Sequence, residues 1–444
     1  MSPTDNADAV TRGLKCYQVG GSVRDALLGL PAPDRDFVVV GASPEEMLRR
    51  GFRPVGRDFP VFIHPRTGEE YALARTERKS GHGYHGFVFH AGPDVSLADD
   101  LARRDLTINA IASDSEGHLI DPYHGRLDLA SGVLRHIGPA FAEDPVRILR
   151  LARFATRFPD FRIADATRDL CREMVRSGEV SHLVAERVWQ EMRKALMHER
   201  PSRFFDVLRE LGALEVVLPE IHALFGVPQP ALFHPEIDTG RHTLMVVDQA
   251  ARLDGSLAVR FASLVHDLGK ALTPKEQWPS HRGHEKRGLA PIEAVCRRLA
   301  VPNDCRELAL LVGEFHLHAH RAFELKPVTV LKLFRRLDVF RRPERLGEFL
   351  VACKADLRGR LGRENDPYLQ AGFLERAGAA ARAVEAAPFL DQGLEGEAVG
   401  RAMDRERLAR IEAVRSDFQS RMSWGRSSIL LSSEPGCGRP IRKP

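Results

Sequence analysis

Between residues 14 and 40 the spacing of apolar positions changes several times. LKCYQV reads as a strand running into Gly20 and Gly21, VRDALLGL has helical spacing, PAPDRD is a turn, and FVVV is a short buried strand. Mixed strands and short helices continue to about residue 138. From PAFAEDPVRILRLARF onward the apolar positions keep a helical period, through VRILRLARFATRF, AERVWQEMRKALM, PSRFFDVLRELGAL and several later stretches. The pattern predicts an α+β protein with a small head over residues 14–140 and an all-helical remainder. The proline-rich FGVPQPALFHPEID at 225–238 is expected to separate two helical blocks. No internal repeat is visible. The last stretch, SWGRSSILLSSEPGCGRPIRKP, loses its period and gains Gly, Pro and Ser, so residues 421–444 read as a disordered tail. Residues 1–13 read as a disordered extension.

Composition narrows the class. The chain has 444 residues, 43% hydrophobic and 28% charged, which suits a folded globular protein and excludes a collagen-like or disulfide-scaffold chain. Lys and Arg total 65 against 61 Asp and Glu, leaving +4, and that surplus allows a local patch for phosphate backbones. Six cysteines without a CxxC pair point to a reducing compartment and away from a structural zinc site. No run approaches the length of a membrane span, and the opening MSPTDNADAVTRG lacks the apolar core of a signal peptide. A cytoplasmic protein is expected, as monomer or homodimer.

The head carries the first candidate chemistry. Asp34 and Asp36 form a DxD, and on an extended chain residues two apart point to the same side. Such a pair can bridge two Mg²⁺ ions about 3.5–4 Å apart for in-line phosphoryl transfer. Oxygen ligands without nearby Cys or His favour Mg²⁺. The preceding Gly20 and Gly21 can bring backbone N–H groups, and a helix N-terminus, against triphosphate oxygens, and Arg24 can clamp the same group. Paired glycines or a DxD alone are ordinary turn and loop features; the ordered set GGxxRD, DxD and VVV is specific. Glu69 or Glu70 could supply a third carboxylate, and the sequence does not choose between them.

EDPVRILRLARF adds a second element. Asp144 before Pro145 reads as a helix start, while Arg147, Arg150 and Arg153 recur every third position along one stripe. Asp144 and Arg147 place a hydrogen-bond acceptor beside a donor. Cytosine offers an amine beside acceptors N3 and O2, and adenine an amine beside N1, so both complement the pair. Uracil and guanine present a carbonyl beside an N–H there and would leave polar groups opposed.

With EEYALARTER (69–78), RRDLTINA (103–110) and IDPYHGRLDL (120–129), these segments resemble the nucleotidyltransferase head of the DNA-polymerase-β superfamily. The resemblance is closest to the bacterial tRNA CCA-adding enzymes, of the class shared with bacterial poly(A) polymerases, and covers residues 15–425. It implies a polymerase-β-type head followed by a helical neck and body, with Asp34 and Asp36 as catalytic Mg²⁺ ligands. It also implies that Arg104 contacts the nucleotide, that Asp105 reads the ribose hydroxyl, and that Gly21, Arg24, Asp144, Arg147, Arg150 and Arg153 bind ATP or CTP. Arg103 is expected to be exposed. On this reading the Asp144–Arg147 motif replaces a nucleic-acid template.

A histidine set follows: His242, His266-Asp267 in SLVHDLGK, His281, His284, His316 and Asp356. Imidazoles with carboxylates suit a divalent transition metal that activates water for phosphoester hydrolysis. LVHDLGK resembles the HD phosphohydrolase superfamily, which implies His242, His266, Asp267 and Asp356 as metal ligands. His284 and His316 are candidates for substrate or a second metal, and His318 and His320 are expected to be exposed. An HD block behind such a head is found in one branch of the CCA-adding enzymes. That implies 2′,3′-cyclic phosphodiesterase, 2′-nucleotidase and phosphatase activities, with Ni²⁺ or another divalent transition metal.

The expected plan is a head at 14–140, a neck and body at 141–230, an HD domain at 231–345 and a helical tail at 346–420. The expected function is template-independent addition and repair of the 3′-terminal CCA of tRNA from CTP and ATP, releasing pyrophosphate. The alternatives are an HD phosphohydrolase with a nucleotide-sensing head, or a poly(A) polymerase. The head loop SGHGYHGF at 80–87 is a compositional candidate for the change from C to A addition.

Overall fold

The computed structural model describes residues 9–32, 34–55, 61–79 and 87–431. The nominated loop at 80–87 falls outside them except for its last residue, as do residues 1–8 and 432–444.

The head is a seven-stranded mixed sheet with short helices. Its strands are β1 (Lys15–Val19), β2 (Asp36–Val40), β3 (Arg53–Val55), β4 (Val61–Ile63) and β5 (Glu70–Leu73). After a separate hairpin of β6 (Arg75–Lys79) and β7 (Phe87–Ala91), the sheet is completed by β8 (Ala112–Ser113) and β9 (Leu119–Ile120), in the order β3-β4-β5-β2-β1-β8-β9. Central β2 runs antiparallel to β1, with Asp36 opposite Val19, and parallel to β5, with Asp36 beside Glu70. The FVVV segment is buried on both faces, as a run of β-branched residues demands: Val38 packs with Val19, Leu101 and Ala112, and Val39 with Met47, Phe62 and Leu73. The head helices are α1 (Gly21–Leu27), α2 (Pro44–Arg49), α3 (Leu97–Ala102) and α4 (Gly125–Ala130). Ser43 caps α2, and Ser96 with Asp99 forms a capping box at α3.

The first helical block holds α5 (Val146–Arg157), α6 (Asp165–Arg176), α7 (Ala185–Leu196), α8 (Ser202–Glu210), α9 (Ala213–Val217) and α10 (Pro219–His222). Helix α5 packs on α7 and α8 through Ile148, Leu149, Leu151, Ala152 and Ala155, all fully buried. Each such Leu or Ile contributes about 1.5–3 kcal/mol over an exposed position. This burial fixes the rotation of α5 about its axis, and therefore the direction of its arginine stripe.

The second block comprises α11 (Thr239–Arg252), α12 (Leu257–Val265), α13 (His284–Arg287), α14 (Leu289–Arg298), α15 (Asn303–His320), α16 (Pro327–Arg336), α17 (Glu344–Arg358), α18 (Leu369–Arg382), α19 (Ala387–Leu390) and α20 (Glu397–Leu431). Helices α11, α12, α15 and α17 pack on one another around Val246, Phe261, Leu264, Val312, Phe349 and Cys353.

Packing divides the chain differently from the periodicity. One compact unit runs to His222 and takes in Arg298–Ala300; the other holds Ala223–Arg297 and everything from Val301 on. The head and first helical block thus share one unit. The proline-rich stretch belongs to the second unit: Pro228 bridges to Asp238, and Thr239 donates its hydroxyl to the Val227 carbonyl. The expected HD boundary at 345 falls short of Asp356, which packs inside the second unit. Helix α20 continues to Leu431, past the expected start of the tail at 421.

Candidate functional site

A cavity of about 510 Å³ opens in the first unit beside the edge of β2. Nine arginines and three aspartates line it, so the wall strongly favours an anion. Gly20 has φ +71°, and a Cβ there would lie 2.9 Å from Arg104 Nη1, so glycine is what lets the backbone pass close to that guanidinium. Gly21 opens α1 behind it. Asp36 begins β2 and lines the cavity, while Asp34 is exposed in the preceding bend. The Asp36 carboxyl is pushed above its usual range by burial, with Asp34 adding to the rise and Arg104 opposing it. Of the two candidate third acids, Glu69 turns to Arg35, whereas Glu70 neighbours Asp36 in the parallel register and shares its side of the sheet.

Arg24 is 2% exposed. It donates to Asn109 Oδ1 (2.5 Å) and to Asp25 Oδ1 (2.8 and 2.9 Å), and it stacks between Phe154 and Phe158. These partners hold its guanidinium in the wall of the cavity. Arg103 is not exposed as expected: Asp100, whose side chain is wholly buried, draws in Arg103 (2.6 Å) and Arg104 (3.1 Å), and both line the cavity.

The arginines of α5 all face this cavity, each with a different partner. Arg147 donates to the carbonyls of Arg103 (2.6 Å), Ala140 (3.0 Å) and Arg104 (3.4 Å). Arg150 is 2.7 Å from Asp105, which also accepts from Asn109 (2.9 Å) and the Leu106 N–H (2.8 Å). Burial alone would raise the Asp105 carboxyl, but Arg150 and these hydrogen bonds outweigh it and hold it well below the usual range. Arg153 donates to Glu191 (2.5 Å) and covers the Phe154 ring. Asp144 accepts the Val146 N–H (3.1 Å) at the start of α5 and takes both guanidinium nitrogens of Arg187. Arg157, Arg187 and Glu191 carry no sequence signal because their partners Asp25, Asp144 and Arg153 lie 132, 43 and 38 residues away, whereas Asp100 pairs with near neighbours and is set apart only by its burial.

The second unit gathers the histidines. His242 comes from α11, His266 and Asp267 from the end of α12, His284 from α13, His316 from α15 and Asp356 from α17. His242 Nε2 lies 3.1 Å from Asp356 Oδ1, and His266 Nε2 lies 3.1 Å from Asp267 Oδ2. Asp267 Oδ1 is 3.2 Å from His284 Nε2 and 3.8 Å from His316 Nε2. Among the described residues two fully buried triads result, His242–His266–Asp356 and Asp267–His284–His316, and His242 also joins a third group with His234 and the half-buried Glu236.

This donor set fits divalent metal. The Nδ1 atoms of His266, His284 and His316 lie 2.8–2.9 Å from the carbonyls of Ser263, His281 and Val312, so each Nδ1 must carry the proton. This turns their Nε2 atoms toward the cluster, where those of His284 and His316 lie 3.3 Å apart, an arrangement that a cation between them suits. Burial above all pushes His316 down to about 3, consistent with a neutral ligand. For Asp267 burial works upward, but His266 and Lys270 outweigh it and keep the carboxylate charged.

His281 is buried but occupied, with its two nitrogens on Thr273 Oγ1 and the Pro228 carbonyl. His320 departs from the expected exposure: its Nε2 lies 2.6 Å from Asp356 Oδ2 and its Nδ1 3.2 Å from the Tyr368 hydroxyl. His316 and His320 are four apart on α15, so one helix face carries both, and that spacing was a readable signal. Glu236, from the proline-rich stretch, lies 2.9 Å from His242 Nδ1, and Lys270 lies 2.7 Å from Asp267.

Comparison with known proteins agrees with both units. The family described as "Poly A polymerase head domain" matches residues 16–135, "Probable RNA and SrmB- binding site of polymerase A" matches 160–225, and "HD domain" matches 239–352. Among solved structures, the apo form II of a CCA-adding enzyme aligns with TM-score 0.64 at 20% identity, covering 92% of each chain. The Bacillus stearothermophilus CCA-adding enzyme in complex with CTP gives 0.59 at 22%, covering 94% of this chain and 96% of that one. These likenesses establish the shared fold. Curated sequences are much nearer. The multifunctional CCA protein of Laribacter hongkongensis is 59% identical over 402 residues, 90% of this chain and 99% of that protein. Its counterpart in Alkalilimnicola ehrlichii is 59% identical over 407 residues, 91% of this chain and 98% of that protein. Matched along nearly all of its length, with head, helical block and HD domain in the same order, the chain belongs to the multifunctional CCA protein family.

Proposed function

We propose that the chain adds and repairs the 3′-terminal CCA of tRNA from CTP and ATP, and that its HD domain hydrolyses phosphate esters at RNA 3′ ends. The observation that carries the first part is the cavity itself, where a carboxylate-bearing strand edge, a glycine turn and the Asp144–Arg147 pair meet in one arginine-rich wall. The primer 3′-hydroxyl attacks the α-phosphorus, and the bond to pyrophosphate breaks. Mg²⁺ held by Asp34 and Asp36 would supply the Lewis acid for that transfer. Gly21 lets the triphosphate approach the backbone, Arg104 orients the sugar, and Arg24 holds the wall in place. Asp144 accepts from the exocyclic amine of cytosine or adenine, and Arg147 donates to the neighbouring ring acceptor. To do so, Arg147 exchanges a backbone carbonyl for the base. Arg150 and Arg153 support the site through Asp105 and Glu191.

In the HD domain, His242, His266, Asp267 and Asp356 would hold divalent metal, with His284 and His316 completing a second position. Metal held there would activate water for attack on the phosphorus at neutral pH. We assign to this site 2′,3′-cyclic phosphodiesterase, 2′-nucleotidase and phosphatase activity supported by Ni²⁺ or a similar ion. No helix among the described residues is long and apolar enough to cross a membrane, and a cytoplasmic location fits a tRNA substrate.

The test offers a tRNA transcript lacking CCA to the protein with Mg²⁺ and each labelled nucleotide. Two C additions followed by one A, with UTP and GTP inert, are expected. Long A tails without C would instead assign a poly(A) polymerase, and absence of any incorporation would overturn the reading.

A further inference from the structure

The base-selecting aspartate is held by a residue outside every motif identified in the sequence. Arg187, in the first turn of α7, donates through Nη1 to Asp144 Oδ1 (3.1 Å) and through Nη2 to Asp144 Oδ2 (2.6 Å). This two-point fork fixes the plane of the carboxylate, as a single-point cation would not. The Val146 N–H takes a further lone pair of Oδ1 at 3.1 Å. One turn along the same helix, Glu191 is 7% exposed and receives Arg153 Nε at 2.5 Å. Helix α7 thus holds Asp144 and Arg153 through Arg187 and Glu191, and α5 cannot turn to compensate because its apolar residues are buried where it packs on α7 and α8.

We propose that Arg187 is a specificity-determining positioning residue, which acts by fixing where Asp144 can accept a hydrogen bond. The proposal rests on the assignment of Asp144 as base reader. Its logic lies in the base edges. Cytosine and adenine carry an amine at the position where uracil and guanine carry a carbonyl, but uracil and guanine each offer a ring N–H one position away. An anchored carboxylate meets only the first position and opposes oxygen to oxygen in the wrong bases. A carboxylate free to shift by one position would accept the ring N–H, and the wrong bases would pass. Arg187 therefore controls discrimination more than it controls turnover.

The measurement is kcat/KM for CTP and for UTP on a tRNA ending one nucleotide before the CCA, with thermal unfolding of each variant. For Arg187→Ala the CTP/UTP ratio is expected to fall at least about 10-fold, on the scale of discrimination that unpaired polar groups provide, with the unfolding midpoint little changed. Arg187→Lys keeps the charge without the fork, so it should restore CTP turnover more fully than discrimination. An equal loss for CTP and UTP, with the ratio preserved in both variants, would make Arg187 a merely structural residue and overturn the proposal. Asp144→Ala separates the two levels. If it abolishes discrimination while Arg187→Ala does not, only the role of Arg187 falls. If Asp144→Ala itself retains discrimination, the base-reading assignment falls.

Discussion

Asp36→Asn lowers nucleotide incorporation by about 10³-fold or more while leaving phosphate-ester hydrolysis by the HD domain unchanged. Phosphoryl transfer depends almost wholly on positioning and on charge placed against the migrating group, so neutralising one carboxylate removes most of the catalytic field. The fold should tolerate the change. Asp36 stands at the first position of β2, where its backbone is held by β1 and β5, and asparagine preserves the side-chain shape. Burial and Asp34 already push the Asp36 carboxyl up, so the folded head works against its ionised form, and bound cation would compensate. Both activities are read on one preparation, by labelled CTP incorporation and by phosphate release. Incorporation within tenfold of the unmodified protein would remove Asp36 from the reaction. Loss of both activities would argue against two separate catalytic sites.

The reciprocal change, His266→Ala, should abolish metal-dependent phosphate release by a similar factor and spare CCA addition. His266 projects its Nε2 between Asp267 and Asp356, at 3.1 and 3.8 Å, while its Nδ1–H donates to the Ser263 carbonyl. Removing it takes one ligand atom from the cluster of Asp267 and Asp356, and metal affinity falls along with activity. Metal content after dialysis, measured by elemental analysis, gives a readout independent of turnover. His266→Asn retains a polar group in the same space and controls for simple collapse of the site. Full metal content with unimpaired hydrolysis in both variants would eliminate His266 as a ligand.

What the sequence disclosed and what it hid follow from how far each signal reaches. The GG turn, the FVVV strand, the arginine stripe on α5 and the HD dipeptide are local patterns, and each maps to a local geometry. Pairings between distant segments leave no such trace. Arg187 sits in a helix that reads as an ordinary amphipathic one, 43 residues from Asp144. Asp100 looks like any acid in a first helical turn until its burial shows that it gathers Arg103 and Arg104. Glu236 lies in a proline-rich stretch that resembles a linker, because proline density reports chain stiffness and not where the chain packs. The position of Asp356 beyond the expected bound at 345 has a related reason: nothing local marks α17 as a contributor to the histidine cluster. In EFHLHAH the expectation separates His316 from an exposed His318 and His320, although helical spacing puts His320 on the same face as His316. In α20 a weak apolar period hid a continuing helix, since length and backbone propensity can sustain one without a strong amphipathic face.

In the proposed reaction the protein itself, through Asp144 and Arg147, reads the incoming base. A crystal structure of the protein with CTP and Mg²⁺ tests it most directly. The expected complex places the cytosine amine within hydrogen-bond distance, about 3 Å, of an Asp144 carboxylate oxygen. Arg147 should have left the Arg103 carbonyl, 2.6 Å away in the present structure, to face the ring acceptors. A cytosine seated elsewhere, with Arg147 still on its carbonyls and Asp144 touching only Arg187 and the start of α5, would contradict the account.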